Sequence, residues 1–323
     1  MAAPARSTVC VTGAGGFVAS WLVKLLLSTG HYAVRGTVRD PSGGKNAHLM
    51  ALEGAGERLR LVKADVLDHS SVASAIAGCD GVFHVASPVP SGPCPDPEAD
   101  VLAPTITGTL NVLKACYEAK VKRVVVVSSF VAVGFNPKWP KGIAFSEDSW
   151  SDEEYCRKHQ EFGWYFLSKT LAEREAFAYA AKTGLDVVTV CPTLVIGPLM
   201  QSSISTSVKI FLNYIKDEEE SVEHKFEHFV DVRDVADALL LAYENPKAYG
   251  RYLCSSALIR VSDIVNILKN SYPTYNYHKN FVEAEYSTRC NTEKLEKLGW
   301  SSRPMEKTLH DSIESCRALG ILN

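Results

Sequence analysis

Three residues of this sequence, Ser129, Tyr165 and Lys169, have the types and spacing needed for proton transfer to a carbonyl oxygen. The helical pattern of residues 163–175 places Tyr165 and Lys169 one turn apart on the same face, and Ser129 follows the apolar run 123–127. A lysine cation beside a phenol favours the phenolate and brings its pKa nearer to neutrality. The Ser129 hydroxyl would hydrogen-bond the substrate oxygen as negative charge develops. The YxxxK spacing alone also occurs on solvated helix faces, so its interpretation depends on a binding site nearby.

A glycine turn at the start of the chain predicts such a binding site. Residues 8–19 read TVCVTGAGGFVA, an apolar strand that runs through a turn into a helix. Gly13 permits the sharp turn, Gly16 leaves room for a pyrophosphate against the backbone, and Ala19 lets helix and strand pack closely. The helix N-terminus offers N–H groups and partial positive charge to phosphates. The pattern therefore predicts a dinucleotide cofactor.

Two basic residues after the second strand favour NADP(H) over NAD(H). Folds that bind NAD carry an acidic residue about 20 residues beyond the glycines, whereas this chain has Arg39 and Lys45. A guanidinium can grip a 2′-phosphate, which a carboxylate would repel. The alternative is that both are surface charges, and the neighbouring Asp40 weighs in its favour. Asp65, after the third strand, either accepts a hydrogen bond from the adenine amino group or caps a turn.

Alternating strand and helix patterns must position these residues. Apolar strand-like runs lie at 8–12, 33–38, 59–62, 81–85, 123–127 and 185–190, with helical patterns at 21–27, 72–77, 105–119 and 166–181 between them. Continuous apolar strands are typical of a parallel sheet covered on both faces. We predict an α/β fold, a Rossmann-type doubly wound parallel sheet with a smaller C-terminal substrate lobe. The expected division is a cofactor domain at 1–196, to which 229–250 return, and a lobe at 197–323.

Composition argues against several classes of protein. The net charge of −3 leaves no basic footprint for nucleic acid, and no apolar run has the length of a membrane span. The first residues lack the apolar core of a secretory signal, and the nine cysteines, an odd count without a CxxC pair, argue against a disulfide framework. We expect a cytoplasmic protein. The histidines lack metal-site spacing, so no metal is expected, and His84 is interpreted as a core residue.

With the glycine turn, Arg39 and Lys45, the motifs VFHVASPV, WYFLSK and PTLVIGP, and the strand that ends in two serines, the chain resembles one family over its whole length. It is similar to the plant cinnamoyl-CoA reductase and dihydroflavonol 4-reductase group of extended short-chain dehydrogenases/reductases. The resemblance implies an NADP(H)-dependent reductase of phenylpropanoid or flavonoid metabolism. It also implies a monomer that acts on a small molecule. The cofactor contacts that it implies are Gly13, Ala14, Gly15, Gly16, Phe17, Val18, Ala19, Arg39, Lys45, Asp65, Val66, Val85, Ala86, Ser87, Tyr165, Lys169, Pro192, Thr193, Leu194, Val195 and Ser207.

Two positions bear on the branch of this family. The motif ASPV at 86–89 resembles the cinnamoyl-CoA branch, and Gly134 stands where dihydroflavonol reductases carry an asparagine. Both features argue against a flavonoid substrate. The segment GWYFLSK differs from the NWYCYGK of cinnamoyl-CoA reductases, although Trp164, Tyr165 and Lys169 match.

The resemblance also implies a binding site for the CoA ester, made of a His and a Lys three residues apart on a helix and a distant Arg. The corresponding residues are Ile210, Asn213 and Arg260, so only the arginine is kept. Loss of each cation weakens such contacts by roughly 1–3 kcal/mol. Lys209 and Lys216 could compensate, but residues 217–220 add negative charge. We therefore expect weak or altered thioester activity.

Other functions remain open at this stage. Within the reductases, the alternatives are free aromatic aldehydes or ketones and dihydroflavonols as substrates. Outside them, nucleotide-sugar epimerases share the glycine turn and YxxxK but retain NAD, and a non-catalytic NADP-binding protein of the same fold would usually lose the tyrosine or the lysine.

Overall fold

The computed structural model describes residues 6–87, 95–159, 163–215, 222–224, 226–277, 281–283 and 288–322. Its strands are β1 (Ser7–Val11), β2 (Tyr32–Val38), β3 (Leu59–Lys63), β4 (Gly81–His84), β5 (Arg123–Val127), β6 (Val187–Pro192), β7 (Leu194–Ile196), β8 (Val222–His224), β9 (Phe226–Asp231), β10 (Gly250–Cys254), β11 (Ala257–Arg260) and β12 (Phe281–Glu283). Its helices are α1 (Phe17–Thr29), α2 (Ala47–Met50), α3 (Ala55–Arg58), α4 (His69–Ile76), α5 (Ala103–Glu118), α6 (Glu153–Lys158), α7 (Gly163–Thr183), α8 (Thr206–Asn213), α9 (Val232–Glu244), α10 (Val261–Ser271), α11 (Glu293–Glu296) and α12 (Met305–Ala318).

The main sheet has seven parallel strands in the order β10-β6-β5-β4-β1-β2-β3. The strand order reverses between β1 and β4, so the connections that leave these two strands diverge and open a crevice at their carboxyl ends. Ligands of doubly wound sheets bind at this switch point. The predicted Rossmann-type fold is confirmed, and all six predicted strands lie within two residues of the observed ones at each end.

Alternation along the strands builds two hydrophobic cores, one on each face of the sheet. Val9 and Val11 face the core that α1 and α9 cover, whereas Cys10 faces the core covered by α4, α5 and α7. Burial on both faces explains why the strand segments read as unbroken apolar runs. Among the described residues, no helix combines the length and the apolar character that crossing a bilayer requires.

The second half of the chain adds a small three-stranded sheet, in the order β11-β9-β7, and the strand pair β12-β8. Helix α9 packs against α1, β5 and β6, so this part of the chain after residue 229 lies against the main sheet. The main sheet also takes β10 as its seventh strand, beyond the predicted return segment 229–250. β7, which the predicted boundary at 196 assigns to the cofactor domain, pairs with β9 in the smaller sheet.

Candidate active site

The glycine turn lies at the carboxyl ends of β1 and β4, at the switch point of the sheet. Gly13 has a φ of +65°, and a Cβ built on it would lie 3.0 Å from the Cβ of Ala86. The Thr12 hydroxyl oxygen accepts hydrogen bonds from the backbone N–H groups of Val85 and Ala86, each at 3.0 Å. Glycine is required here because L-residues avoid this conformation and the neighbouring chain leaves no room. The backbone at this turn carries no bulky side chain, so it fits a dinucleotide whose phosphates reach the start of α1.

The helix after the turn begins as the glycine pattern predicts. Gly16 is the N-cap of α1 in an extended conformation, and Phe17 is the first helical residue. Phe17 and Ala19 are buried, while Val18 is half-buried against the same core. Ala14 is buried too, and its N–H donates to the Thr37 carbonyl at 2.9 Å. The first turn of α1 is therefore anchored by its side chains, with its N–H end directed to the crevice.

The predicted 2′-phosphate residues Arg39 and Lys45 are both exposed. Lys45 lies in a short 3₁₀ turn, Gly44–Asn46, that packs against the glycine turn, because a Cβ on Gly15 would come 2.5 Å from the Asn46 Oδ1. The Asp40 carboxylate accepts hydrogen bonds from the N–H (3.0 Å) and the hydroxyl (2.6 Å) of Ser42, which lower its pKa. Asp40 is therefore engaged within its own loop.

The remaining predicted cofactor contacts divide between the ends of β3, β4 and β6. The exposed Asp65 carboxylate accepts a hydrogen bond from the Leu67 N–H at 2.9 Å. It therefore caps a turn, which is one of the two roles predicted for it from the sequence. Val66 is half-buried against Gly108 of α5. The Ser87 hydroxyl after β4 is buried and has no hydrogen-bond partner among the described residues. Such an unsatisfied group is costly unless a ligand or water completes it.

The segment after β6 lies deeper. Pro192, Thr193 and Val195 are buried, Leu194 is half-buried, and the Thr193 N–H donates to the Cys254 carbonyl at 3.0 Å. Ser207 lies apart, in the first turn of α8, where its hydroxyl pairs with that of Ser205 at 3.1 Å. Two members of the motif ASPV, Pro88 and Val89, lie outside the described residues.

The three candidate catalytic residues converge where β5 and α7 meet. The Ser129 hydroxyl is hydrogen-bonded with that of Tyr165, and its oxygen also accepts from the Val131 N–H at 3.3 Å. Lys169 is buried, and its Nζ donates to the Val127 carbonyl at 2.9 Å. Since Val127 is the last residue of β5, the lysine ties α7 to the strand that carries Ser129. Sequence reasoning predicted this convergence from separate segments.

The electrostatics differ from the expectation that Lys169 lowers the pKa of Tyr165. Burial raises the pKa of Tyr165 to about 12, and the opposing influence is the hydrogen bond with Ser129. Burial also lowers the pKa of Lys169 to about 8. The physical reason is that the Lys169 ammonium points at a backbone carbonyl and both groups are desolvated. The phenol consequently stays protonated at neutral pH, the form that donates a proton.

Sequence reasoning missed the residues behind this cluster. Glu173, one turn beyond Lys169 on α7, accepts a hydrogen bond from the Ser128 hydroxyl at 2.8 Å and pairs with Arg251 of β10 at 2.7 Å. The spacing of four residues after Lys169 was a usable signal for Glu173, whereas nothing local marked Arg251. His84 is buried as expected, bonded to Thr12 at 3.0 Å and to Thr109 of α5 at 3.3 Å.

The predicted CoA-ester positions do not form a cationic group. Ile210 on α8 is half-buried and packs against the hydrophobic core, and Asn213 is exposed at the end of the same helix. Arg260 is exposed at the end of β11, where it precedes α10 as the N-cap. Lys209 is exposed as well; Lys216 and residues 217–220 lie outside the described residues.

Gly134 and Gly163 stand where dihydroflavonol reductases and cinnamoyl-CoA reductases, respectively, carry an asparagine. Local packing accounts for both glycines. A Cβ on Gly134 would lie 2.8 Å from the ring of Phe130, so a larger residue at 134 requires that ring to move. A Cβ on Gly163 would lie 2.0 Å from the Cys156 carbonyl oxygen, which excludes an asparagine on the present backbone. Position 163 is therefore closed to a side chain, whereas a side chain at 134 requires the Phe130 ring to shift.

Aromatic side chains pack beside Tyr165. The ring of Phe135 contacts those of Phe166 and Tyr155, with centroids 4.8 Å and 4.7 Å apart. Phe166 follows Tyr165 directly, so this cluster flanks the candidate proton donor. An apolar, aromatic flank of this kind suits the ring of an aromatic carbonyl compound.

Comparison with known proteins places this geometry in a family. Residues 9–287 match the profile of the NAD dependent epimerase/dehydratase family. Cinnamoyl-CoA reductase 1 of Petunia hybrida is 42% identical over 97% of this chain and 93% of its own length, and tetraketide alpha-pyrone reductase 1 of Arabidopsis thaliana is 42% identical over 99% and 98%.

Two solved reductase structures resemble this chain over nearly its whole length. Vestitone reductase from alfalfa (Medicago sativa L.) superposes with a TM-score of 0.84 at 34% identity, over 98% of this chain and all of that one. Yeast methylglyoxal/isovaleraldehyde reductase Gre2, solved in complex with NADPH, gives a TM-score of 0.84 at 25% identity over 98% and 100%. The expected resemblance is confirmed: the chain belongs to the NAD dependent epimerase/dehydratase family, among relatives that include cinnamoyl-CoA reductases.

Proposed function

We propose that this protein is an NADPH-dependent reductase of the cinnamoyl-CoA reductase-like group that delivers hydride to the carbonyl of a phenylpropanoid-type substrate. Family membership and the reductases among its relatives make it an NADP-dependent oxidoreductase. The observation that carries the proposal is the convergence of Ser129, Tyr165 and Lys169 where β5 and α7 meet, with the buried Lys169 Nζ donating to the Val127 carbonyl at 2.9 Å.

The chain's own residues would act as follows. NADPH, when bound, supplies the hydride. Ser129 holds the substrate oxygen, and Tyr165 donates its proton to that oxygen as alkoxide charge develops. Lys169, fixed by the Val127 carbonyl, keeps α7 in register with β5 and provides positive charge beside the site. At its raised pKa the phenol of Tyr165 is protonated throughout the neutral range, so it holds the proton that the alkoxide takes up.

The cofactor assignment draws on four features of the site. The glycine turn, the first turn of α1 and the unsatisfied Ser87 hydroxyl offer a cradle for the dinucleotide. Arg39 and Lys45 would hold the 2′-phosphate, with the adenine end bounded by Asp65 and Val66. The segment 192–195 and Ser207 would bound the nicotinamide end. The NADPH complex of the yeast relative supports this assignment.

For the substrate, we propose weak or altered activity on hydroxycinnamoyl-CoA thioesters. Ile210 and Asn213 replace the two cations that the resemblance implies for CoA, which leaves Arg260 as the retained contact. Thioester reduction also releases free CoA from a hemithioacetal, whereas a free aldehyde or ketone needs only hydride and the Tyr165 proton. The tetraketide pyrone reductase relative supports free-carbonyl reduction as the second candidate.

Dihydroflavonols are less well supported, because Gly134 packs against Phe130 and offers no side chain to a flavonoid ring. An epimerase would recycle its cofactor, so steady oxidation of added NADPH distinguishes a reductase from it. A non-catalytic protein would bind NADPH without turnover.

One parallel assay tests the proposal. The purified protein is incubated with NADPH and, separately, feruloyl- and coumaroyl-CoA, free phenolic aldehydes and dihydroflavonols, while NADPH oxidation and free CoA are measured. We expect turnover of free aromatic carbonyls with thioester kcat/KM below about 10⁴ M⁻¹s⁻¹, the lower range of efficient enzymes. Efficient thioester reduction contradicts the weakened-CoA assignment, and NADPH binding without turnover of any carbonyl contradicts the reductase assignment.

Three further assignments stay proposals. The lobe formed by residues 197–323, apart from the segment that returns to the sheet, would cover the substrate. The plant relatives support a plant setting in phenylpropanoid or lignin metabolism. A cytoplasmic monomer stays the prediction from sequence.

A further inference from the structure

Glu173 of α7 is a buried carboxylate beside the candidate catalytic residues, and it accepts several hydrogen bonds. It is 1% exposed, and its oxygens accept hydrogen bonds from Ser128 directly after β5 (2.8 Å), Thr189 of β6 (2.6 Å) and both Nε (3.0 Å) and Nη2 (2.7 Å) of Arg251 of β10. Three neighbouring strands are thus bonded to one side chain of α7. Burial of a carboxylate is costly unless it is paired and fully hydrogen-bonded, as it is here.

Arg251 extends this connection to the loop after Ser129. The guanidinium is 4% exposed, donates to the carbonyl oxygens of Ala132 and Ser149, and stacks 3.7 Å from the ring centroid of Trp150. Ala132 ends the 3₁₀ turn for which Ser129 is the N-cap. The ion pair therefore holds both sides of Ser129, through Ser128 before it and Ala132 after it.

Glu173 also faces Lys169. The two side chains, four residues apart on α7, line the same small cavity with His84 and Ser128. The negative charge of Glu173 opposes the loss of the Lys169 proton that burial favours. The shared cavity and the opposite charges of Glu173 and Lys169 both indicate that the carboxylate favours the ammonium form of Lys169.

We propose that Glu173, held by Arg251, is a positioning residue for the reaction: its carboxylate keeps Lys169 in the ammonium form and fixes the end of β5 that carries Ser129. The inference rests on the proposed function of the Ser129, Tyr165 and Lys169 site.

The other titratable groups around Lys169 leave Glu173 as its anionic neighbour among the described residues. His84 of β4 is neutral, because burial lowers its pKa to about 3. The Cys191 thiol of β6 is neutral, because burial raises its pKa. Tyr165 is neutral below about pH 12, and Arg251 of β10 is a cation neutralised by Glu173. Removal of the Glu173 charge would therefore leave Lys169 with an uncompensated guanidinium nearby.

The test compares Glu173→Gln, which keeps the shape and removes the charge, with Glu173→Asp, which keeps the charge. Lysine ¹³Cε resonances are followed against pH in selectively labelled protein, and the Lys169 resonance is assigned by its loss in Lys169→Met. This readout does not depend on turnover. The pH profile of kcat with NADPH and the best carbonyl substrate provides the second readout.

We expect the Lys169 titration midpoint to fall by roughly one pH unit or more in Glu173→Gln, as is typical when an opposite charge is lost. The alkaline limb of kcat should move to lower pH by the same amount, with KM for NADPH little changed. Glu173→Asp should stay close to the wild-type midpoint. An unchanged midpoint and limb in folded Glu173→Gln would overturn the proposal and leave the pair a purely structural one.

If Glu173→Gln does not fold because it leaves Arg251 unpaired, the neutral pair Glu173→Gln with Arg251→Met replaces it. Substitution of a buried ion pair by apolar or neutral groups of similar volume is often tolerated. A smaller drop than in Glu173→Gln is expected in this double variant, because the guanidinium that would also lower the midpoint is removed with the carboxylate, and a midpoint at or above the wild-type value overturns the proposal. Failure of the proposed function is a separate result: wild-type protein would then oxidise no NADPH with any carbonyl, while the resonance titration still decides the role of Glu173.

Discussion

Replacement of Tyr165 by phenylalanine tests the candidate mechanism at its centre. The substitution removes one hydroxyl, which is hydrogen-bonded with Ser129, and keeps the ring that packs beside Phe166. Ser129 retains its bond from the Val131 N–H, so its hydroxyl is not left without a partner. Loss of one such hydrogen bond costs about 0.5–1.5 kcal/mol of stability. The variant should therefore fold and bind NADPH as the wild type does.

The catalytic loss should be much larger than the structural one. A positioned general acid contributes typically about 10²–10⁴-fold, which corresponds to roughly 2.7–5.4 kcal/mol of transition-state stabilisation. We expect kcat to fall by this factor with KM for NADPH almost unchanged, because Tyr165 acts when charge develops on the substrate oxygen.

The assay is NADPH oxidation with the best substrate of the parallel screen, paired with NADPH binding by fluorescence and a thermal melt. In the wild type, activity should decline as pH rises through about 8, because burial lowers the pKa of Lys169 to that range while Tyr165 stays protonated to about 12. The matched variant Tyr155→Phe removes a hydroxyl from the neighbouring aromatic cluster and should keep full activity. Retention of wild-type turnover by Tyr165→Phe would refute the acid role.

Three further variants, one single and two double, follow from the site. Gly13→Ala should lower the free energy of unfolding by about 1–3 kcal/mol, since its φ is +65° and Ala86 is 3.0 Å from the new Cβ, and it should weaken NADPH binding in a titration. Arg39→Ala with Lys45→Ala should raise KM for NADPH roughly tenfold or more, the value of a lost charged hydrogen bond, with KM for NADH unchanged. Ile210→His with Asn213→Lys should raise kcat/KM for hydroxycinnamoyl-CoA by roughly tenfold, through restored cations, with free-aldehyde turnover unchanged.

Matched controls separate these effects from general damage. Gly30→Ala has the same backbone strain, at a φ of +76°, but nothing lies within 4 Å of its Cβ, so it should lose stability and keep NADPH affinity. Arg60→Ala removes an exposed cation from β3 and should leave the cofactor preference intact. If either double variant behaves like the wild type, the corresponding phosphate or CoA assignment is wrong.

The fold could be predicted from the sequence because its signals are local. Apolar runs mark strands buried on both faces, and the α1 and α7 segments carry their helical periodicity within a few turns. The glycine turn is readable because a φ of +65° at Gly13 demands a residue without a Cβ. The spacing of Tyr165 and Lys169 is likewise a property of one helix.

Pairings between distant segments could not be read in this way. β10 joins the edge of the main sheet beside β6, about 60 residues earlier in the chain, and a short apolar segment does not state which edge it will cover. The bond from the Leu67 N–H to Oδ1 of Asp65 could not be read from the sequence either, and the contact of Asp65 with adenine stays a prediction.

What the sequence by itself determined is the set of chemical groups: a proton donor, a lysine one turn away, a phosphate cradle and two basic residues near it. Tertiary structure decided the environment in which those groups act. Burial raises the pKa of Tyr165 where proximity to a lysine had suggested the opposite, and the Glu173–Arg251 pair joins three strands, one helix and the loop after Ser129. Charge spacing along a chain is set by residue order, but desolvation and ion pairing depend on which distant segments pack together, and these contacts form only in the folded protein.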